Sequence, residues 1–166
     1  EGQRRTAVES AQRQWLAARN AKCGRAKPDG ECLARLYKDR IVALAREWRA
    51  LGGTAAGTAI SGRYAYREMG EAGEMLLAEM PDGSVYVQVE TVNTNHRSPH
   101  SCSFDGRLKT RSGDVLEYRE PETSKTCGLK IAVAGNRLEF SELPKDCFEL
   151  SRHYCGMHGF MLGNYV

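Results

Sequence analysis

The chain has 166 residues, enough to bury a core without depending on cross-links. It holds no apolar run approaching the roughly 18 residues that a membrane-spanning helix needs. Its formal charge of +3 is uneven: residues 1–51 carry 12 Lys and Arg against 6 Asp and Glu, which leaves 12 against 15 for residues 52–166. A basic helical end invites a nucleic-acid reading, but the arginines are spread around the helix faces, interleaved with Asp39 and Glu47, and no binding motif accompanies them. No nucleic-acid partner is expected.

The first predicted element is an amphipathic helix over 5–23, in which Val8, Ala11, Trp15, Ala18 and Ala21 recur at spacings of three and four and Gly24 ends the run. A second helix follows in Leu33, Leu36, Tyr37, Ile41, Leu44, Trp48 and Leu51, with Asp29 as its N-cap and Gly52-Gly53 as its stop. Between the two stand Cys23 and Cys32. A redox pair would be spaced C-x-x-C, and a zinc knuckle would need two further ligands that the region lacks, so a staple across a helical hairpin is the simplest reading. Closing so small a loop stabilises the hairpin by ~3 kcal/mol in the chain-entropy model. Two helices of this length are marginal without such help.

Residues 53–60, small and weakly polar, read as a linker. Beyond it the period of the pattern falls from 3.6 to 2. Strands are expected at 61–68, 74–80, 85–93, 100–107, 115–120, 129–134 and 137–142, with turn chemistry at Pro81-Asp82-Gly83-Ser84, Arg111-Ser112-Gly113-Asp114 and Gly135-Asn136. The fold class is α+β: a stapled helical hairpin over 1–52, then a small antiparallel barrel or sandwich of about seven strands over 61–166.

Six cysteines, Cys23, Cys32, Cys102, Cys127, Cys147 and Cys155, are the even number expected where oxidation is permitted, and they predict three disulfides rather than six buried thiols. With Cys23 and Cys32 joined, the other four allow three pairings. The favoured one joins Cys127 to Cys147 across the base of the 129–140 hairpin region, and Cys102 to Cys155, which anchors the C-terminal segment to the sheet. The chain begins at Glu1 without an initiator Met or a basic-then-apolar leader, as expected of an exported chain whose signal peptide or lipoprotein anchor has been removed.

His153, Cys155 and His158 lie close together, but a metal site there would need Cys155 as thiolate and a fourth ligand; neither metal nor cofactor is expected. No G-x-S-x-G elbow is present and no His-carboxylate pair stands out, so no catalytic residues are assigned and a non-enzyme is favoured. The polar loop Asn93, Asn95, His96, Arg97, Ser98, Pro99 and His100 joins two strands, where binding residues tend to sit; its two histidines would make binding sensitive to mild acidity. Asn95, His96, Arg97 and His100 are the loop's partner-binding candidates.

The residues Gln12, Trp15, Leu16, Arg19, Asn20, Cys23, Cys32, Arg40 and Leu44 resemble the LprI-type domain of bacterial envelope proteins: a Trp-Leu helix running to R-[DN]-x-x-C, a second Cys and an Arg-rich helix. The resemblance covers about 8–51 and lacks that domain's upstream helices and additional cysteine pair. It implies an exported, disulfide-stapled helical module in a family named for lysozyme inhibition. Ser61-Gly62-Arg63-Tyr64 also looks a little like the S-G-x-x-Y loop of small β-barrel inhibitors of chicken-type lysozyme, one residue short, which adds Ser61 and Arg63 to the partner-binding candidates. The expected function is inhibition of a lysozyme or other peptidoglycan hydrolase by a periplasmic or secreted protein. The competing expectation is an immunity or adaptor protein whose partner is a toxin or envelope component.

Overall fold

Two helices open the chain, α1 over Gly2–Cys23 and α2 over Gly30–Ala50. The structure is a computed structural model, and it describes residues 2–25, 27, 29–53, 58–68, 70–93, 100–108, 110–119, 127–143, 153–156 and 159–166. Contacts divide the chain into two compact units, Glu1–Ile41 and Val42–Val166, with the boundary falling inside the unbroken α2.

In the first unit, Gly24 adopts a left-handed conformation (φ 80°) that ends α1, as helix C-termini commonly require. The Asp29 carboxylate accepts hydrogen bonds from the Glu31 and Cys32 amides at 3.0 and 3.2 Å, the N-cap expected for α2. The Asp29 amide reaches back to the Cys23 carbonyl (2.9 Å), and Cys23 and Cys32 form the expected disulfide. The stripe predicted for α1 is shifted, however. Val8, Ala11, Ala18 and Ala21 are exposed, whereas the sheltered face is Gln12, Trp15, Leu16, Arg19, Asn20 and Cys23. Alanine methyl groups bury little area, so this helix is held by rings and arginines instead. Trp15 meets Tyr37 edge to face, with centroids 5.1 Å apart. The Arg19 guanidinium lies 5.8 Å from the Trp15 ring and 5.6 Å from that of Tyr37, and Arg40 lies 5.9 Å from Trp15. Arg40 also donates to the Gln12 side-chain carbonyl at 3.1 Å, and Arg19 to Asn20 Oδ1 and the Tyr37 hydroxyl.

The second unit is a meander of nine strands: β1 Gly62–Glu68, β2 Glu71–Glu79, β3 Val85–Asn93, β4 His100–Leu108, β5 Thr110–Ser112, β6 Val115–Arg119, β7 Gly128–Ala134, β8 Arg137–Leu143 and β9 Gly163–Tyr165. All seven expected strands are present. The expectation missed β5 and β9, three residues each, because so short a run shows no alternation. The order is β4-β3-β2-β1-β9-β8-β7-β6-β5, every pairing antiparallel. β4 and β5 stand at the two ends of this order, yet a single residue separates them in sequence. One run of chain therefore pairs with β3 on one side and β6 on the other, which brings the sheet to a nearly closed barrel; taken together the two make it eight-stranded. Phe104 of β4 meets Tyr118 of β6 edge to face at 5.3 Å inside that seam.

Alternation places Met75, Leu77, Val87, Val89, Phe104, Leu129, Ile131, Leu138 and Phe140 in one interior cluster, so side chains fill the barrel. β2 carries apolar residues in its middle and a buried carboxylate at each end, Glu71 and Glu79, both on the parity of Met75 and Leu77. Glu79, 2% exposed, pairs with Arg49 near the end of α2 at 2.5 Å, and its amide and carboxylate both bond the Ser61 hydroxyl (3.0 and 3.3 Å). Arg46 donates to the Ser61 carbonyl at 2.9 Å.

A second disulfide joins Cys102 of β4 to Cys155, as expected, and beside it the Gly156 amide bonds the Ser101 carbonyl at 2.9 Å. Cys127 is disulfide-bonded too, and no described cysteine is free; its expected partner Cys147 lies outside the described residues, as do linker residues 54–57. No helix among the described residues is long and apolar enough to cross a membrane.

Two of this unit's Arg-carboxylate pairs, Arg49 with Glu79 and Arg63 with Glu74, differ in burial and so in worth. Arg49→Ala, which strips a partner from buried Glu79, is expected to cost about 3 kcal/mol in urea unfolding. Arg63→Ala breaks a pair whose side chains are 38% and 27% exposed and is expected to cost under about 1 kcal/mol. Equal losses would contradict the assignment of Glu79 as a buried anchor.

Candidate functional site

The described candidates named from sequence do not converge. Ser61 is buried just ahead of β1, its hydroxyl occupied by Glu79, and Gly62–Tyr64 run as strand, so this segment is a structural corner and not a projecting loop. Arg63 is exposed on β1, with its guanidinium on Glu74 Oε2 at 2.5 and 3.0 Å. His100 opens β4 opposite Asn93. Asn95, His96 and Arg97 lie outside the described residues, as does His158. Ser61 sits beside Glu79 and His100 is aligned with Glu71, so the two lie at opposite ends of β2, roughly 26 Å apart at ~3.3 Å per residue.

What the structure assembles at the His100 end is a polar cluster that sequence did not single out. β3 buries Val85, Val87 and Val89, then Thr91 and Asn93 on the same parity. Opposite them in register are Gly73 and Glu71 of β2. The Glu71 carboxyl, in a residue 5% exposed, is approached by Asn93 Nδ2 at 3.5 Å, Thr91 Oγ1 at 3.4 Å and the Phe160 amide. The Thr91 hydroxyl has one proton to share between Glu71 and the Phe160 carbonyl, which lies closer at 2.8 Å. Burial pushes the Glu71 carboxyl above its ordinary value, while the bonds from Asn93, Phe160 and Thr91 and the charge of His100 pull the other way.

The same cluster fixes the segment that leads into β9. Tyr66 and Tyr165 stack with centroids 4.8 Å apart, and their hydroxyls donate to the carbonyls of Leu162 (2.9 Å) and Met161 (2.6 Å). Burial drives both phenols far above their usual range, with nearby Glu68 and Glu71 adding to the effect, so both stay neutral donors. The cluster sits at the end of the sheet where β3 finishes in Asn93 and β4 begins in His100, two residues paired with each other. One signal was available in sequence: the Val-x-Val-x-Val run of β3 turns polar at Thr91 and Asn93 while the parity continues.

Cys155, bonded to Cys102, is not a thiolate ligand, and His153 is exposed with its ring 5.1 Å from Tyr154. Among the described residues no group of three or more His, Cys, Asp or Glu is placed to hold a metal ion. Comparison with protein-family models, curated proteins and solved structures returned no match for this chain.

Because the folded state raises the Glu71 pKa, Glu71 contributes stability that is present below its unfolded value near 4.5 and is lost as pH rises through the folded value. Glu71→Gln is therefore expected to raise the thermal midpoint relative to the parent at pH 7 to 8, with the gap narrowing as pH falls toward 4. Parallel midpoint curves for the two proteins would show that Glu71 is not held as described.

Proposed function

We propose that this chain is an exported bacterial envelope protein that binds and inhibits a peptidoglycan hydrolase. The observation that carries the reading is the first unit's interlock. Gln12, Trp15, Arg19, Asn20, Cys23, Cys32 and Arg40, the residues that resemble the LprI-type domain, are bonded or stacked with one another or with Tyr37. A resemblance spread over nine positions is more telling when those positions meet in space as one device. Leu16 and Leu44 are not among these contacts, and Leu44 stands 41% exposed.

Two features of the second unit accord with the proposal. Its disulfide from Cys102 to Cys155 belongs to the chemistry of an oxidising compartment. Its barrel is filled by its own side chains, which directs recognition to the outer surface and the connections between strands. Inhibition would then be steric: a connection held on a stiff frame enters the hydrolase cleft, and a few anchoring side chains supply most of the affinity. The β3-β4 connection, with both ends clamped beside Glu71, is the segment we assign to this. The acidic balance of 52–166 would draw a cationic hydrolase toward the barrel and away from the basic helices.

Purified protein added to a turbidity assay of cell-wall lysis is expected to slow at least one of the chicken-type, goose-type and invertebrate-type lysozymes, with the effect weakening as salt rises. Unchanged lysis by all three overturns the proposal. Recovery of a toxin or envelope component from periplasmic extract, with lysis unchanged, identifies an immunity or adaptor protein instead.

A further inference from the structure

On the outer face of the barrel, where β9 lies between β1 and β8, a cleft of about 450 Å³ is lined by Ala65, Arg67, Glu68, Arg137, Asn164 and Val166. Its position follows from parity. Tyr66, Tyr165 and Leu138 are fully buried, so their neighbours Ala65 and Arg67, Asn164 and Val166, and Arg137 all face outward. The floor is fixed by backbone: the Ala65 amide bonds the Val166 carbonyl at 2.6 Å and the Val166 amide bonds the Ala65 carbonyl at 3.0 Å.

The two arginines are set apart from their neighbours. Arg46, Arg49, Arg63 and Arg107 each donate to an acceptor within the second unit. Arg67 and Arg137 are exposed, and among the described residues neither has a hydrogen bond or an ion pair. They nonetheless line the same cleft. The carboxylate beside them, Glu68, is already engaged: its Oε1 accepts from the Asn164 amide (3.2 Å) and the Asn164 side chain (2.8 Å). Glu139, opposite Asn164 in the β8-β9 register, is an exposed acid nearby.

We propose that this cleft is a binding site for the carboxylate side chains of an acidic peptide segment. Guanidinium forks recognise carboxylates through paired, charge-assisted hydrogen bonds. The apolar floor of Ala65 and Val166 between the forks suits the methylene stem of an acidic side chain, which an inorganic anion lacks. A volume of this size falls in the range of sites for small ligands. Because the strand backbones pre-set the floor, little ordering accompanies binding. The site stands whether or not the chain inhibits a hydrolase.

The test is a ¹⁵N NMR titration of the intact chain with acetyl-Glu-Glu-amide, with acetyl-Lys-Lys-amide and inorganic phosphate as comparisons. Saturable shifts are expected at the Ala65, Asn164 and Val166 amides with the acidic peptide alone. Arg67→Gln and Arg137→Gln are each expected to weaken binding by about tenfold, and the double variant to abolish it while amides elsewhere in the barrel keep their positions. Glu139→Gln, which leaves both arginines in place, is expected to tighten binding. An equal response to the basic peptide, saturation by phosphate at the same concentration, persistence in the double variant, or weaker binding by the Glu139 variant would each overturn the proposal.

Discussion

Joining the two halves of the sheet falls to three residues, Gly163–Tyr165, and the rest of the barrel depends on their seating. Without them β1 and β8 would each present an unpaired edge, and an open edge is a liability in any antiparallel sheet. So short a strand cannot hold itself by backbone bonds. β9 pairs with β1 through Tyr66 and Tyr165 and with β8 over three positions, and side chains do the rest. The Tyr66-Tyr165 stack sits in the core, both hydroxyls tether the incoming 161–162 backbone, and Glu68 holds Asn164 by two bonds. The Cys102-Cys155 disulfide limits how far this segment strays from β4 before it reaches its slot. The seam where the sheet nears closure needs no such apparatus, because β4 and β5 belong to one run of chain.

Much of this was legible in the chain itself. Two helices, the second one's cap at Asp29, the stop at Gly52-Gly53, seven strands and the hairpin staple follow from periodicity, turn chemistry and cysteine spacing, and the Cys102-Cys155 pairing was the favoured one of three. What was not legible has two physical causes. Elements of three residues, β5 and β9, are too short to show a period, and their existence is decided by the neighbours they pair with. In α1 the stripe was read one residue out of phase because alanine counts as apolar in a pattern but has little surface to bury. Gln12, Arg19 and Asn20 look like a solvent face until Arg19 and Arg40 are seen lying against Trp15 and Tyr37.

The candidate sites were less legible than the fold. Ser61 read as the start of a strand with a slight likeness to an inhibitor loop, and nothing in the sequence showed that its hydroxyl serves buried Glu79. Glu71 gave no signal of its own, since a carboxylate at the start of a strand is ordinarily a solvated end. It became notable only through the tertiary placement of Thr91, Asn93 and Phe160 around it. The cleft at Arg67 and Arg137 joins residues seventy positions apart and rests on β9, the strand that no pattern announced. Surface chemistry that depends on who pairs with whom is the last thing a sequence discloses.

Gly163 shows how tightly that seat is made. Its backbone has φ 140°, and a methyl group built there would lie 2.2 Å from the Glu68 carboxylate and 3.0 Å from the Tyr66 ring. Glycine at this position and the acid on β1 therefore form a coupled pair, since any side chain at 163 must displace the acid that orders Asn164. A chain of this architecture can be sought by that coupling, a glycine and an aromatic two residues later, matched to an aromatic and an acid two residues beyond it on the first strand, even where overall similarity has faded past detection.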